Sequence, residues 1–144
     1  MSEHPVGKIL PRVTPLTQPF WEGCVAGELL MQHCGHCNDY QYYPRSICSR
    51  CGGKELGWDT VSGKGSIASF TIVRRAISGA YTVPYVVALV DLVEGPRMMS
   101  MIVDEITDQI AVGAAVMVRF DAWGDGLKMP VFVLARTEPD DGEG

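Results

Sequence analysis

Two Cys-x-x-Cys pairs, separated by a ten-residue spacer, constrain this sequence more than any other feature. Four thiols therefore fall within eighteen residues, at Cys34, Cys37, Cys48 and Cys51. Glycine follows the first cysteine, at Gly35, and the last, at 52–53. It adopts the positive φ that turns backbone amides toward sulfur. Four converging thiolates make a closed tetrahedral site, which suits Zn(II). The short spacer predicts a small ribbon with one metal ion per chain.

Other roles for these cysteines are a rubredoxin-like iron site, two disulfides, or reduced thiols without a ligand. The first residues are polar and lack the apolar segment of a secretory signal peptide. This favours a reducing cytoplasm, where paired cysteines bind metal more often than they cross-link. Because four cysteines fill the shell, we expect His33 and His36 to lie around the site or at the surface. Cys24 is in an apolar helical context, which predicts a buried thiol rather than a nucleophile.

The bulk composition describes a globular chain. Its 144 residues are 47% hydrophobic and 20% charged, which fits one domain or two small modules. None of its apolar runs approaches the eighteen residues of a transmembrane helix. The net charge is −5, and the last eight residues carry four acids and no base. A nearly neutral body with an acidic tail is a poor binder of nucleic acid.

The sequence divides into four segments. Residues 1–16 hold three prolines and predict an extended arm, while residues 137–144 predict an acidic disordered tail. Residues 17–60 predict a helix and the zinc ribbon. In that helix Thr17 is the expected N-cap, Pro19 lies in the first turn and Gly27 ends it. Short strands are expected at 28–32 and within 38–47, on either side of the first cysteine pair.

The segment 61–136 predicts a barrel. Short β-type runs alternate with turn signals, at 66–75, 85–93, 97–103, 114–123 and 129–136. Five strands with a longer link between the third and fourth fit a five-stranded Greek-key barrel of the OB type. The predicted fold class is therefore mainly β, an N-terminal helix and rubredoxin-like zinc ribbon followed by an OB-fold barrel.

Several barrel strands are apolar on both faces, although a small antiparallel barrel should alternate apolar and polar residues. We expect the ribbon, the N-terminal segment or another protein to cover the outer face. Methionine repacks readily on such faces, and the candidate partner contacts are Met98, Met99 and Met101. The spacer tyrosines, Tyr40, Tyr42 and Tyr43, are expected to wrap the metal site, with an exposed aromatic platform as the alternative.

Residues for independent catalysis are missing. The sequence has no Gly-x-Ser-x-Gly, no phosphate-binding glycine loop, no His-x-Glu and no histidine after His36. Asp91 and Glu94 flank a turn and are typical of solvated charges. A free-standing zinc enzyme would need an open metal position. We therefore expect a chain that is not catalytic by itself.

The motifs resemble a known family. The two cysteine pairs enclose Tyr-Pro-Arg at 43–45, and Gly-x-Gly at 63–65 precedes Ser-Phe-Thr at 69–71. Pro-Tyr at 84–85, Glu-Gly-Pro-Arg at 94–97 and Pro-Val-Phe at 130–132 extend the likeness over roughly residues 17–136. This combination resembles the zinc-ribbon/OB-fold family called DUF35. The resemblance implies a non-catalytic, acyl-CoA-associated subunit of thiolase-fold enzymes, in thiolase/synthase, acyltransferase, or steroid side-chain aldolase or hydratase complexes.

An acyl-CoA ligand shared with such a partner would need basic and aromatic groups at its nucleotide end. Arg74 and Arg75 follow the first barrel run, and Tyr81 and Tyr85 lie at the other end of the next loop. The alternative is that both arginines are ordinary surface charges. A different function class for the chain is a single-stranded nucleic-acid-binding OB module. That class needs a basic groove with stacking aromatics, which the charge balance disfavours.

Overall fold

The computed structural model describes residues 11–75, 83–104, 106–124 and 126–135. The first ten residues of the predicted arm and the predicted tail at 137–144 lie outside these ranges. The described residues form one helix and eight strands, which are α1 (Gln18–Ala26), β1 (Leu29–Cys34), β2 (Tyr40–Gln41), β3 (Leu56–Val61), β4 (Lys64–Val73), β5 (Tyr85–Leu92), β6 (Arg97–Ile102), β7 (Ala115–Gly124) and β8 (Leu127–Leu134).

Helix α1 ends where the sequence predicts. Gly27 has a φ of 83° and its N–H donates to the Cys24 carbonyl at 3.1 Å, which closes the last turn. Thr17 occupies the N-cap position, but the prediction that it caps the helix through its side chain is wrong. Its hydroxyl oxygen instead accepts a hydrogen bond from the Thr14 N–H at 3.0 Å.

The ribbon contains a three-stranded antiparallel sheet in the order β2-β1-β3. Strand β1 is central, with Gln32 opposite Gln41 on one side and Met31 opposite Asp59 on the other. β3 then ends at Val61, and the barrel begins at Lys64. The ribbon and barrel are thus joined by a short connection.

The other five strands form the predicted closed barrel, in the order β4-β5-β6-β8-β7. All five lie within two residues of their predicted limits. Two pairings close the barrel: β4 with β7, where Lys64 lies opposite Met117, and β6 with β8 in parallel at Ile102 and Phe132. This is the strand order of an OB-type barrel, and the predicted fold class is confirmed.

The barrel and ribbon share one hydrophobic core. Every second side chain of β5 is buried, from Val86 to Leu92, and Phe132 fills the centre with no exposed surface. The same core cluster includes Phe20 and Cys24 of α1. α1 packs between β1 and β8, so the helix and ribbon cover part of the apolar outer face. In the part of the chain that the structure describes, no helix has the length and apolarity needed to span a membrane.

Candidate metal centre

The four predicted cysteines converge on one point. Their Sγ atoms all lie within 4.8 Å of one another. The sulfurs of Cys34 and Cys51 are 3.6 Å apart, as are those of Cys37 and Cys48. A tetrahedral zinc site with bonds of about 2.3 Å separates its sulfurs by about 3.8 Å, so the four thiols fit such an ion. All four are free, and the disulfide alternative is not supported.

Two turns of the same construction present these sulfurs. In the first, the Asn38 N–H donates to the Cys34 carbonyl, and in the second the Gly52 N–H donates to the Cys48 carbonyl, each at 2.9 Å. The two turn residues have positive φ, 69° at Asn38 and 76° at Gly52. The prediction for the second turn is therefore confirmed. For the first it is wrong, because Asn38 adopts the left-handed conformation and Gly35 does not.

Backbone amides point at the sulfurs, and those of Cys34 and Cys48 each accept two of them. The Cys34 sulfur accepts the N–H groups of His36 and Cys37, both at 3.4 Å. The Cys48 sulfur accepts those of Arg50 at 3.4 Å and Cys51 at 3.5 Å. The N–H of Cys51, followed by that of Arg50, lowers the pKa of Cys48 to about 6. The N–H of Cys37 is the largest cause that lowers the pKa of Cys34. These bonds favour the thiolate, the form that binds metal.

Both nearby histidines are outside the four-sulfur cluster. His33 Nε2 is hydrogen-bonded to Asn38 Oδ1 at 2.7 Å, and its Nδ1 lies 3.6 Å from an Asp59 carboxylate oxygen. His36 is exposed on the first turn. The expectation that both surround the site or lie at the surface is therefore confirmed. Four sulfurs would fill the tetrahedral shell of a bound zinc and leave it no open position for a substrate water.

Cys24 is a buried thiol, as predicted. Its side chain has no exposed surface, and burial raises its pKa to about 12. A thiol that remains protonated at neutral pH is a poor nucleophile. Cys24 therefore belongs to the hydrophobic core against which α1 packs.

The spacer tyrosines contact other parts of the ribbon and helix. Tyr40 packs on His33 with ring centroids 4.8 Å apart, while Tyr42 packs on Phe20 of α1 at 6.0 Å. Tyr43 is 64% exposed and has a φ of 76°. Beside them is a groove of about 310 Å³ that the sequence did not predict. It is lined by Pro11, Arg12, Thr17, Phe20, Trp21, Tyr42, Tyr43 and Pro44.

Three of the four predicted CoA-binding residues, Arg74, Arg75 and Tyr85, lie at one end of the barrel. β4 ends at Val73, so Arg74 and Arg75 follow it as exposed residues. Tyr85 begins β5 opposite Val73, and Tyr81 lies outside the described residues. Because both arginines lie beyond the end of β4, the alternation of side chains along that strand does not determine which way either arginine points. Their role in binding CoA stays a prediction.

The three methionines predicted to contact a partner have different environments. Met98 points into the barrel and is 1% exposed, whereas Met99 is 63% exposed. Met101 is half-buried. The inward direction of Met98 follows from strand alternation in β6. Only Met99 and Met101 can therefore offer surface to a partner directly.

Known proteins share both parts of this fold. Residues 21–57 match the family described as the ChsH2 rubredoxin-like zinc ribbon domain, and residues 58–121 match the ChsH2 C-terminal OB-fold domain. A DUF35 domain-containing scaffold protein from Methanothermobacter thermautotrophicus is 37% identical over 111 residues, covering 76% of this chain and 74% of the relative. The chain belongs to the DUF35 family. The predicted family resemblance is thus confirmed.

Two further relatives are matched over smaller shares of their own length. A probable enoyl-CoA hydratase alpha subunit from Thermomonospora curvata is 34% identical over 116 residues, covering 78% of this chain and 36% of the relative. A DUF35 domain-containing scaffold protein from Pyrococcus furiosus is 39% identical over 85 residues, covering 57% of this chain and 62% of the relative. The chain thus spans about a third of the first protein and under two thirds of the second.

Solved structures show the same architecture. The DUF35 chain resembles a chain of the Ltp2-ChsH2(DUF35) aldolase with a TM-score of 0.79 and 27% identity, over 87% of this chain and 98% of that one. It also shares its fold with a DUF35 protein of unknown function from Sulfolobus solfataricus, with a TM-score of 0.60 and 17% identity over 84% and 86% of the two chains. The zinc-ribbon match and the four clustered sulfurs together indicate a metal site.

Proposed function

We propose that this DUF35 chain is a non-catalytic accessory subunit that docks on a thiolase-fold enzyme and helps to bind or channel an acyl-CoA thioester. One observation carries the proposal: the chain aligns with 98% of a chain of the Ltp2-ChsH2(DUF35) aldolase at a TM-score of 0.79. A hydratase alpha subunit and scaffold proteins among the relatives support the same role. Partner chemistry would be of the aldolase or acyltransferase kind, as in steroid side-chain degradation.

The metal in this proposal is one Zn(II) per chain. The ligands would be Cys34, Cys37, Cys48 and Cys51, whose four sulfurs suit its tetrahedral geometry. Bound zinc would supply folding free energy by joining the two cysteine turns. Reduced thiols suit the cytoplasm, which we propose as the location.

The docking surface would include the outer face of β5 and β6. Met99 lies opposite Leu89 and Met101 lies opposite Val87, which places four apolar residues on adjacent strands. Met99 is 63% exposed at the centre of this face. Met98 would support the face from inside the barrel. An exposed apolar side chain surrounded by half-buried ones is typical of protein interfaces.

The nucleotide end of acyl-CoA would meet the barrel end that carries Arg74 and Arg75. A guanidinium group can donate two parallel hydrogen bonds to a phosphate. Tyr85 begins the strand opposite, and Tyr81 belongs to the same proposed site. The reacting thioester would remain in the partner, because four cysteine ligands would leave a bound zinc no open position for a substrate.

Co-expression tests the proposal. The tagged chain is expressed together with a thiolase-fold protein from the same host and analysed by size-exclusion chromatography with light scattering. We expect a stable complex, built symmetrically around a partner dimer. A monodisperse monomer that leaves the thiolase-fold protein unbound would contradict the proposal. Binding of a labelled single-stranded oligonucleotide at about 0.15 M salt would favour the nucleic-acid alternative instead.

A further inference from the structure

Two glutamines are the polar residues that are buried in the described part of the chain. Gln32 is 3% exposed and Gln41 is 8% exposed, and they face each other across β1 and β2. Moving a primary amide out of water without replacing its hydrogen bonds is unfavourable. The partners of these two amides therefore show which part of the ribbon they hold.

The Gln32 side chain forms hydrogen bonds with both backbone groups of one residue, Arg45. Its Oε1 accepts the Arg45 N–H at 2.9 Å, and its Nε2 donates to the Arg45 carbonyl at 2.9 Å. The same Oε1 accepts a hydrogen bond from Gln41 Nε2 at 2.7 Å. Arg45 lies in the irregular segment 42–47, which follows β2. Gln32 thus takes the place of a strand partner for this segment.

The Gln41 side chain holds the backbone on both sides of a metal ligand. Its Oε1 accepts the Ser49 N–H at 2.8 Å, and its Nε2 donates to the Ile47 carbonyl at 3.4 Å. Cys48 lies between these two residues. The orientation of the amide is set by chemistry, because the Ser49 N–H can only donate.

The two cysteine turns differ in what supports them. Cys34 is the last residue of β1 and is paired with Leu56 of β3, so the sheet itself positions the first turn. The segment before Cys48 belongs to no strand. Its described hydrogen bonds to Gln32 and Gln41 therefore position the second turn, as the sheet positions the first.

We propose that Gln32 and Gln41 are positioning residues of the metal centre, which fix the segment 42–47 and hold Cys48 where its sulfur completes the four-thiolate site. This inference rests on the metal site of the proposed function. Groups that orient metal ligands without touching the metal commonly change metal affinity by roughly 10–100-fold when they are replaced. A glutamine pair that served only general stability would leave metal retention unchanged in the folded protein.

The experiment compares Gln41→Met and Gln32→Met in the full chain with Gln109→Met as the control. Methionine keeps the length of the side chain and removes its hydrogen bonds, and Gln109 is an exposed residue outside the ribbon. The chain is loaded with zinc, and its release to a chelator is timed. Hydrogen exchange of the Ser49 amide is measured on the same samples, together with thermal unfolding of the barrel.

We expect zinc release to become roughly tenfold faster in both glutamine variants and to stay unchanged in the control. The Ser49 amide should exchange faster while the barrel remains folded. The double variant should resemble the single ones, because residues of one hydrogen-bond network are not additive. Release and exchange that match those of the unsubstituted chain would overturn the inference, and so would unfolding of the barrel in both variants.

Failure of the proposed metal site would look different. The unsubstituted chain would then take up no zinc at all. The Ser49 amide still tests the glutamines in that case: faster exchange in Gln41→Met than in the Gln109→Met control would support the hold of Gln41 on the Cys48 backbone, and unchanged exchange would overturn it.

Discussion

Gly63 lies directly against Val118, at the point where the ribbon meets the barrel. A β-carbon added to Gly63 would stand 2.2 Å from Val118 Cγ1, and the Val118 N–H donates to the Gly63 carbonyl at 2.9 Å. Gly63 also has a φ of 78°. Glycine meets both demands because it has no β-carbon. At Gly65, an added β-carbon would stand 2.5 Å from the Asp91 carbonyl oxygen, so the Gly-x-Gly motif is explained by packing.

Replacing Gly63 by alanine should destabilise the protein strongly. The change combines backbone strain, about 1–3 kcal/mol, with overpacking against Val118, about 1–3 kcal/mol. Gly113→Ala is the matched control, because Gly113 has a φ of 92° and nothing within 4 Å of an added β-carbon. Thermal or urea unfolding measures both. Equal losses in the two variants would show that the contact with Val118 contributes nothing.

Removing one metal ligand should release the metal and unfold the second cysteine turn. Cys48→Ser takes one sulfur from a cluster of four, and in small metal sites the binding free energy is largely folding free energy. Elemental analysis should give about one zinc per unsubstituted chain. Cys24→Ala is the control and should keep its zinc. A Cys48→Ser protein that retained full metal content would refute the assignment of the ligands.

Metal affinity should fall more steeply with decreasing pH once the pH is below about 6. The backbone N–H groups of Cys51 and Arg50 lower the pKa of Cys48 to about 6. A lowered pKa stabilises the thiolate, so its contribution is present above the ordinary value of 9.0 and is lost as pH falls through 6. Chelator competition between pH 10 and 5 should show one additional proton taken up per metal released below about pH 6. The same change of slope near pH 9 would indicate an ordinary thiol at Cys48.

A charge on the outer face of β6 should weaken partner binding without unfolding the chain. Met99 is 63% exposed, so Met99→Glu should change the free energy of unfolding by less than about 0.5 kcal/mol. At the centre of an interface, the same charge should cost about 2 kcal/mol or more of binding. Val112→Glu is the control, since Val112 is 68% exposed and lies outside β6. Equal affinities for both variants, measured by calorimetry, would remove Met99 from the interface.

The arginines after β4 give a test of the acyl-CoA role. If one of them contacts a CoA phosphate, its replacement by alanine should lower kcat/KM of the complex by a factor that corresponds to a loss of about 1.5–3 kcal/mol of binding free energy. Assembly of the complex should be unaffected. Arg119→Ala is a suitable control, because Arg119 is paired with Asp121 on β7. Steady-state kinetics with the partner's own thioester compares Arg74→Ala, Arg75→Ala and the control. Unchanged kinetics in both test variants would leave the chain a scaffold only.

The five barrel strands and the four cysteines whose sulfurs come together could be predicted from the amino-acid sequence alone. Cys34, Cys37, Cys48 and Cys51 are recognisable because ligand spacing is a local property of the chain. The five barrel strands are recognisable because alternation and turn residues act over a few positions. Gly27 ends α1 for the same reason. These features depend on neighbours in the sequence, and the structure confirms them.

Features that depend on residues distant in sequence could not be predicted in this way, because they follow from the fold. Asn38, rather than Gly35, takes the positive φ of the first cysteine turn, where its side chain also bonds His33. Met98 enters the core while Met99 remains exposed. The buried bonds of Gln32 reach across thirteen residues to Arg45. Such contacts are fixed by how strands pair and pack, because a side chain's partners are chosen by the fold and not by its sequence neighbours.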